Sequence, residues 1–344
     1  MFQTERTRTR ASRLLVIAAL AASLCLFLSG CVTMADGTRV NIFILLIVRP
    51  FGWILRKIYD VIGSYGWSII IFQLLAKLLL LPLSIKGKKG MMDMQRIQPK
   101  LQELEKRYKN DQQKYQQEMA KLYKAEGVSP MSGCLPTLLT FPFMIGLYWP
   151  ISQPLTYLMN LTADEIAKIR DILGLADGLR GSELTVAQAM YENFELIKDV
   201  SPNIIRMDFT FLGCNLGAVP DWKQPLTLLF LIPIISGVTS YLLTQLTNHL
   251  QYKSTGSMPQ GQNSTMMYMM PLVSVWFGFT LPAGLGVYWI ASNITQALQE
   301  VFLHFYFEKK KQNEPLPESG NSSTLLKEEN NSNGQKSRSH RKNH

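Results

Sequence analysis

The sequence predicts an all-α integral membrane protein with five transmembrane helices, a cytoplasmic helical hairpin and an amphipathic helix on the outer membrane surface. Three observations predict it. Of 344 residues, 47% are hydrophobic, although the chain carries a formal net charge of +10. The apolar residues are gathered into long blocks of about the 20 residues that a helix needs to cross a core of roughly 30 Å. Basic and acidic residues also separate into different connecting segments, as membrane orientation requires.

The first element, residues 1–30, reads as a lipoprotein signal peptide. Arg6, Arg8, Arg10 and Arg13 precede an apolar run over 14–28 that is short for a span and flanked as a signal is. It ends in Leu28-Ser29-Gly30-Cys31. This resembles the bacterial lipobox, in which the cysteine is lipidated and becomes the first mature residue; two acyl chains then anchor it to the outer face. An uncleaved anchor, or a signal in which Cys31 is incidental, is the alternative.

Residues 31–65 carry the lipidated N-terminus and the amphipathic helix, 42–62, which mixes apolar residues with Arg49, Arg56, Lys57 and Asp60 and is interrupted at Pro50. A sixth span over 40–55 is disfavoured by Arg49 and Pro50 within it. The first transmembrane helix is 66–85, followed by a hairpin over 86–128. Between Lys86 and Glu126 lie eleven basic and six acidic residues, which places this segment in the cytoplasm. Met94, Ile97, Leu101, Leu104 and Tyr108, then Tyr115, Met119 and Leu122, form an apolar seam on two short helices, with Asp111 suited to cap the second. The seam accounts for the hairpin by itself, and a docking role for its basic face is a separate expectation.

The second span is 129–151, and the acid-rich segment 152–224 that follows is expected outside. The remaining spans are 225–247, 266–282 and 283–306, with a cytoplasmic loop over 248–265. Pro282 separates the last two. Residues 307–344 form a basic tail too polar to bury a core, expected to be disordered and cytoplasmic.

One residue contradicts the apolar pattern. Lys77 stands inside FQLLAKLLLLPLS, nine residues before Lys86 and so about 13 Å along a straight helix from the cytoplasmic boundary. A charge at such depth costs at least about 2.5–3.5 kcal/mol on insertion scales, so it is expected to face a protein interior or a wet cavity. No span has Asp or Glu in its middle, and Glu300 comes late in the fifth, so Lys77 is expected to be unpaired. Gln73 and Ser84 share its helix face; Thr137, Thr140 and Tyr148 follow helical spacing on the second span, and Ser292, Gln296 and Gln299, with Asn293 beside them, on the fifth. They are candidates for lining one hydrated concavity around the cation. Each has a plainer explanation in bonding to helix backbone or joining helices.

Other chemistries find little support. Cys25, Cys31, Cys134 and Cys214 form neither a disulfide framework nor a metal set, and the four histidines are scattered. KGKKG lacks phosphate-loop spacing. A solute transporter would call for an ionisable relay or an inverted repeat, and an intramembrane enzyme for a nucleophile with a base at depth. No cofactor is expected.

The blocks YGWSIII, LLAKLLLLPLS, MMDMQRIQPKLQELEKRY, YKAEGVSPMSGCLPTLLTFPFMIGLYWPI and MMYMMPLVSVWFGFTLPAGLGVYWIASNITQALQ, in this order, resemble the YidC/Oxa/Alb family of membrane protein insertases. The likeness runs over about 66–305, interrupted at 152–224, where only FLGCNLG fits. The lipobox and the absence of a large globular external domain resemble its Gram-positive type. Two positions depart from the pattern: Lys77 stands where the family usually has arginine, and Thr140 where many relatives carry glutamine.

The resemblance implies five helices around a hydrophilic groove open to cytoplasm and lipid and closed on the outside. Lys77, Gln73, Thr137, Thr140, Tyr148, Ser292, Asn293 and Gln296 would line it. A client's short polar outer segment would enter while its apolar segment slides into the bilayer, without enzymatic chemistry. Met91, Met92, Met94, Met266, Met267, Met269 and Met270 would suit varied apolar clients, or plain packing. Implied partners are nascent membrane proteins, the phospholipid bilayer, the ribosome through the basic tail and hairpin, and the Sec translocon and signal recognition machinery. The implied location is the bacterial plasma membrane, with the lipid-anchored N-terminus outside and the C-terminus in the cytoplasm.

Overall fold

The structure is a computed structural model that describes residues 31–33, 39–129, 135–175, 183–225, 227–255 and 262–313. Two compact units, Met1–Glu300 and Val301–His344, divide the chain. Within the first, β1 (Cys31–Thr33) pairs antiparallel with β2 (Arg39–Asn41), Cys31 opposite Asn41. A π-helical turn, Ile44–Val48, then runs directly into α1 (Arg49–Ile62). Pro50 therefore does not interrupt the amphipathic segment, contrary to the sequence expectation. It occupies the first turn of α1, and the wider π register just before it makes room for a ring without an N–H. Leu55 and Tyr59 face inward and Trp53 and Val61 outward. Gly63, at φ 70°, ends the helix with its N–H on the Tyr59 carbonyl.

The segment 66–85, expected as the first span, is not one straight helix. α2 (Tyr65–Leu79) stops at Leu80, and α3 (Leu81–Arg107) leaves at an angle of 61°. Pro82 is the physical cause: it removes a helical N–H, clashes with the carbonyl four residues earlier, and is well placed in the first turn of a new helix. Lys77 consequently sits one turn before a bend, and its distance from Lys86 along the α2 axis is shorter than a straight helix gives. α3 and α4 (Gln112–Ala125) make a hairpin. The Asp111 carboxylate accepts from the Lys114 N–H at 2.9 Å and caps α4. Ile97 is 1% exposed, with Met94, Leu101 and Leu104 half-buried on the same face, so the seam is real. Glu126 closes the open end, 2.5 Å from Lys100 and 3.6 Å from Arg96.

α5 (Leu135–Ser152) packs against α1 and leads into the 152–224 segment. That segment is more than a hydrophilic connection. It holds α6 (Pro154–Tyr157), α7 (Ala163–Ile172), α8 (Glu183–Glu192), α9 (Phe194–Ile197) and a hairpin of β3 (Thr210–Phe211) with β4 (Cys214–Asn215). Leu155, Ile169, Leu184, Met190, Ile197 and Leu216 are buried in the same cluster as Leu55, Tyr65, Ile69 and Leu147 of the apolar helices. Hydropathy blocks do not reveal such a core, because each short helix contributes only a few scattered apolar positions. Thr162 and Glu165 form a reciprocal capping box that starts α7.

α10 (Leu228–Thr255) and α11 (Gln262–Thr280) lie against each other along their lengths. Glycines set their spacing: a Cβ on Gly237 would overlap Cγ2 of Val275, and one on Gly278 would lie 2.8 Å from Cβ of Pro233. α12 (Ala283–Asn313) begins where the Ala283 and Gly284 N–H groups donate to the Ala218 and Leu216 carbonyls at 2.9 and 2.8 Å, satisfying two donors that a helix start leaves free.

Among the described residues one helix is long and apolar enough to cross a membrane alone, Leu228–Lys253, with a second if the bent pair α2 and α3 counts as one span. Leu74, Leu75, Leu78 and Leu79 on α2, Leu231, Ile235 and Leu242 on α10, and Leu272 and Trp276 on α11 are exposed. Such continuous apolar faces suit hydrocarbon rather than water.

Candidate functional site

The Lys77 side chain leaves the last turn of α2, half-buried, and its Nζ donates to Oε1 of Gln296 on α12 at 2.6 Å. Nε2 of Gln296 donates in turn to Oε1 of Glu300 at 3.2 Å. The other carboxylate oxygen, Oε2, accepts from Nζ of Lys88 on α3. Four side chains from three helices thus form one polar chain, cation to amide to carboxylate to cation. Among the described residues no carboxylate lies within ion-pair distance of Lys77; a neutral amide holds it and relays Glu300 to it.

The backbone explains the convergence. Gln296 and Glu300 are one turn apart and fall on one side of α12, whereas Lys77 and Lys88 stand on different helices on either side of the bend. The bend at Leu80 turns the α3 lysine toward Glu300, midway along α12. The spacing of Gln296 and Glu300 is visible in the sequence, but the bend that brings Lys88 to them is not. Glu300 and Lys88 are the members that sequence reasoning does not join.

The other candidates divide. Gln73 is buried, 3% exposed, one turn before Lys77. Ser84 Oγ donates to the Leu80 carbonyl at 3.1 Å, the ordinary backbone role. Asn293 turns toward α10, its Nδ2 donating to the Ser236 carbonyl at 3.3 Å and to Oγ1 of Thr239 at 3.1 Å, and so joins helices. Ser292 is half-buried beside it. Tyr148 lines an apolar cavity of about 180 Å³ with Met144, Phe277, Leu285, Tyr288 and Trp289, which none of the four chain members borders. The side chains of Thr137, Thr140, Met266, Met267, Met270 and Cys31, and the whole of 314–344, lie outside the described residues, although Thr137 and Thr140 fall on α5 and Cys31 on β1.

A polar chain between helices that carry exposed apolar faces is the arrangement expected of a helical membrane protein. The profile of the family described as "60Kd inner membrane protein" matches residues 57–311, and the chain belongs to that family, the YidC/Oxa/Alb insertases, whose function is not enzymatic. It is 28% identical over 319 residues to "Membrane protein insertase YidC 2" of Listeria innocua serovar 6a, with 90% of each chain covered. It is 29% identical over 272 residues to "Membrane protein insertase YidC" of Alkalihalophilus pseudofirmus, covering 77% of this chain and 82% of that one. The solved structure titled "Active YidC insertase crystal structure with the first transmembrane domain resolved" is 21% identical, covers 72% of this chain and 44% of that one, and superposes with a TM-score of 0.42.

Proposed function

We propose that this protein inserts newly made membrane proteins into the bacterial plasma membrane and helps them fold, through a hydrated groove among five helices that opens to the cytoplasm and holds Lys77 as its cation. The observation that carries this reading is the Lys77 ammonium, set in an apolar helix and held by the neutral amide of Gln296 rather than by a carboxylate. An amide satisfies one donor of the ammonium and leaves its charge in place, so an acidic residue of an incoming client still gains by approaching it. Hydration of the groove shortens the apolar barrier that a polar outer segment must cross. Transfer of the client's apolar segment into lipid, and the membrane potential for acidic outer segments, supply the driving force.

The remaining roles belong to the same proposal. Cys31 carries the lipid anchor outside, the 152–224 segment caps the outer side, and the α3–α4 hairpin and the basic tail meet the ribosome, signal recognition machinery or Sec translocon on the cytoplasmic side. The basic surface of the hairpin, with Lys114 over the Tyr108 ring at 5.4 Å and most of its other charges exposed, fits an anionic partner.

The test is insertion of a single-spanning client with an acidic outer tail into proteoliposomes, scored by protease protection, with wild type, Lys77→Arg, Lys77→Ala and Lys77→Glu. Arginine should insert as wild type does, whereas alanine and glutamate lose about tenfold or more of the initial rate. Equal insertion by all four folded proteins would make Lys77 a tolerated structural residue.

A further inference from the structure

Glu300 is nearly buried, its side chain 11% exposed, as is Lys88 at 14%. Both of its carboxylate oxygens are engaged, one by the Gln296 amide and one by the Lys88 ammonium. The Gln296 amide therefore has one satisfactory orientation. Turned over, it would set its NH₂ against the Lys77 ammonium and its oxygen against a carboxylate, two repulsive contacts in place of two attractive ones. Glu300 thus orients the carbonyl that covers Lys77, and its negative charge lies within roughly 8 Å of that ammonium, two hydrogen bonds and one amide away. The chain of four contains two cations and one anion.

We propose that Glu300 is a specificity-determining positioning residue: it tempers the attraction of the site for acidic client segments, both by holding Gln296 on Lys77 and by opposing the approach of another carboxylate. Lys88 balances it from α3. A client acid must displace a neutral amide that Glu300 keeps aligned, and it does so against the Glu300 charge. Attraction is then strong enough to draw the segment in and weak enough to let it leave. The chemical class selected is the polar outer segment of a client according to its number of carboxylates. This inference rests on the insertase reading above and adds to it a residue outside the groove cation itself.

The pair Glu300→Gln and Lys88→Gln tests it. Both substitutions break the same ion pair, but they change the charge near Lys77 in opposite directions. In proteoliposomes of the full chain at low ionic strength, insertion is measured for one client carrying zero, one or two carboxylates in its outer tail. Glu300→Gln should raise the initial rate by about threefold to tenfold for each client carboxylate relative to the neutral client, and Lys88→Gln should lower it. Each variant's rate with the neutral client is its own reference, so a general loss of activity cancels and only the charge dependence is read. A purely structural ion pair would move both variants the same way for every client, and either that result or an unchanged charge dependence overturns the proposal. If Glu300→Gln fails to fold, the Lys88→Gln series decides alone. If wild type inserts no client better than empty liposomes, the insertase reading itself falls, and this proposal with it.

Discussion

Replacing Gly237 by alanine sets a methyl group into the contact between α10 and α11, where it would overlap Cγ2 of Val275. The new carbon would lie well inside contact distance of Cγ2, and carbon atoms in van der Waals contact sit about 3.5–4.0 Å apart, so the contact must open by roughly 1.2–1.7 Å or Val275 must leave its rotamer. Overpacking of this size costs about 1–3 kcal/mol. Alanine recovers up to about 1 kcal/mol through its higher helix propensity, leaving a net loss of roughly 1–2 kcal/mol. For a chain of this size that corresponds to a fall of about 1–3 °C in the unfolding midpoint, read by scanning fluorimetry of the purified protein in detergent. The location makes the effect sharper. Lipid offers apolar side chains as good a home as the partner helix does, so close backbone approach, rather than burial, holds such a pair together. Gly278, against Pro233 across the same interface, uses the same device. The double variant Gly237→Ala with Val275→Ala removes the overlapping methyl and should regain most of the loss. A Gly237→Ala protein as stable as wild type, or a double variant no better than the single, would refute the argument.

Two further perturbations act on α1 and the 152–224 segment. Tyr59→Phe removes a nearly buried hydroxyl that accepts from the Asp208 N–H at 3.0 Å and donates to the Arg206 carbonyl at 3.3 Å. Leaving those backbone groups unpartnered should cost about 1–3 kcal/mol and increase hydrogen exchange in a 204–209 peptide; unchanged protection there would show that the hydroxyl does not tie α1 to that segment. Glu165, at the start of α7, is held below its usual 4.5 first by the Thr162 backbone N–H and then by side-chain hydrogen bonds. A depressed carboxylate binds fewer protons folded than unfolded, so its contribution is complete above the usual value and is lost as pH falls through the folded one. The difference in unfolding midpoint between wild type and Glu165→Gln should accordingly shrink on going from pH 7 to below pH 4, and a difference constant over that range would contradict the sign.

Patterns that repeat along the chain are legible in the sequence alone. The seam Met94, Ile97, Leu101, Leu104 needs only helical spacing, and Asp111 announces its cap by residue type and position. The polar face of the last helix is visible in Ser292, Gln296 and Gln299. Two elements escape such a reading. The bend at Leu80 is hidden despite Pro82, because the apolar run continues through it and hydropathy says nothing of direction. The core of 152–224 is hidden because Leu155, Ile169, Leu184 and Leu216 are separated by polar residues and meet only when the segment folds back on α1, α2 and α5.

What the sequence by itself determined is therefore whatever depends on neighbours along the chain: helical class, apolar blocks, segregation of charge, the lone cation at Lys77 and the family resemblance. Only the tertiary structure decided which groups that cation meets. Gln296 lies 219 positions away from Lys77, and Glu300 lies 212 from Lys88. A hydrogen bond is set by separation and angle in space, and periodicity within one helix carries no information about the rotation of another against it. The 61° turn at Leu80, and the close approach of Gly284 on α12 to Ile69 on α2, where an added Cβ would lie 3.5 Å from Cδ1, set that rotation, and with it the partner of the one charge the sequence could not explain.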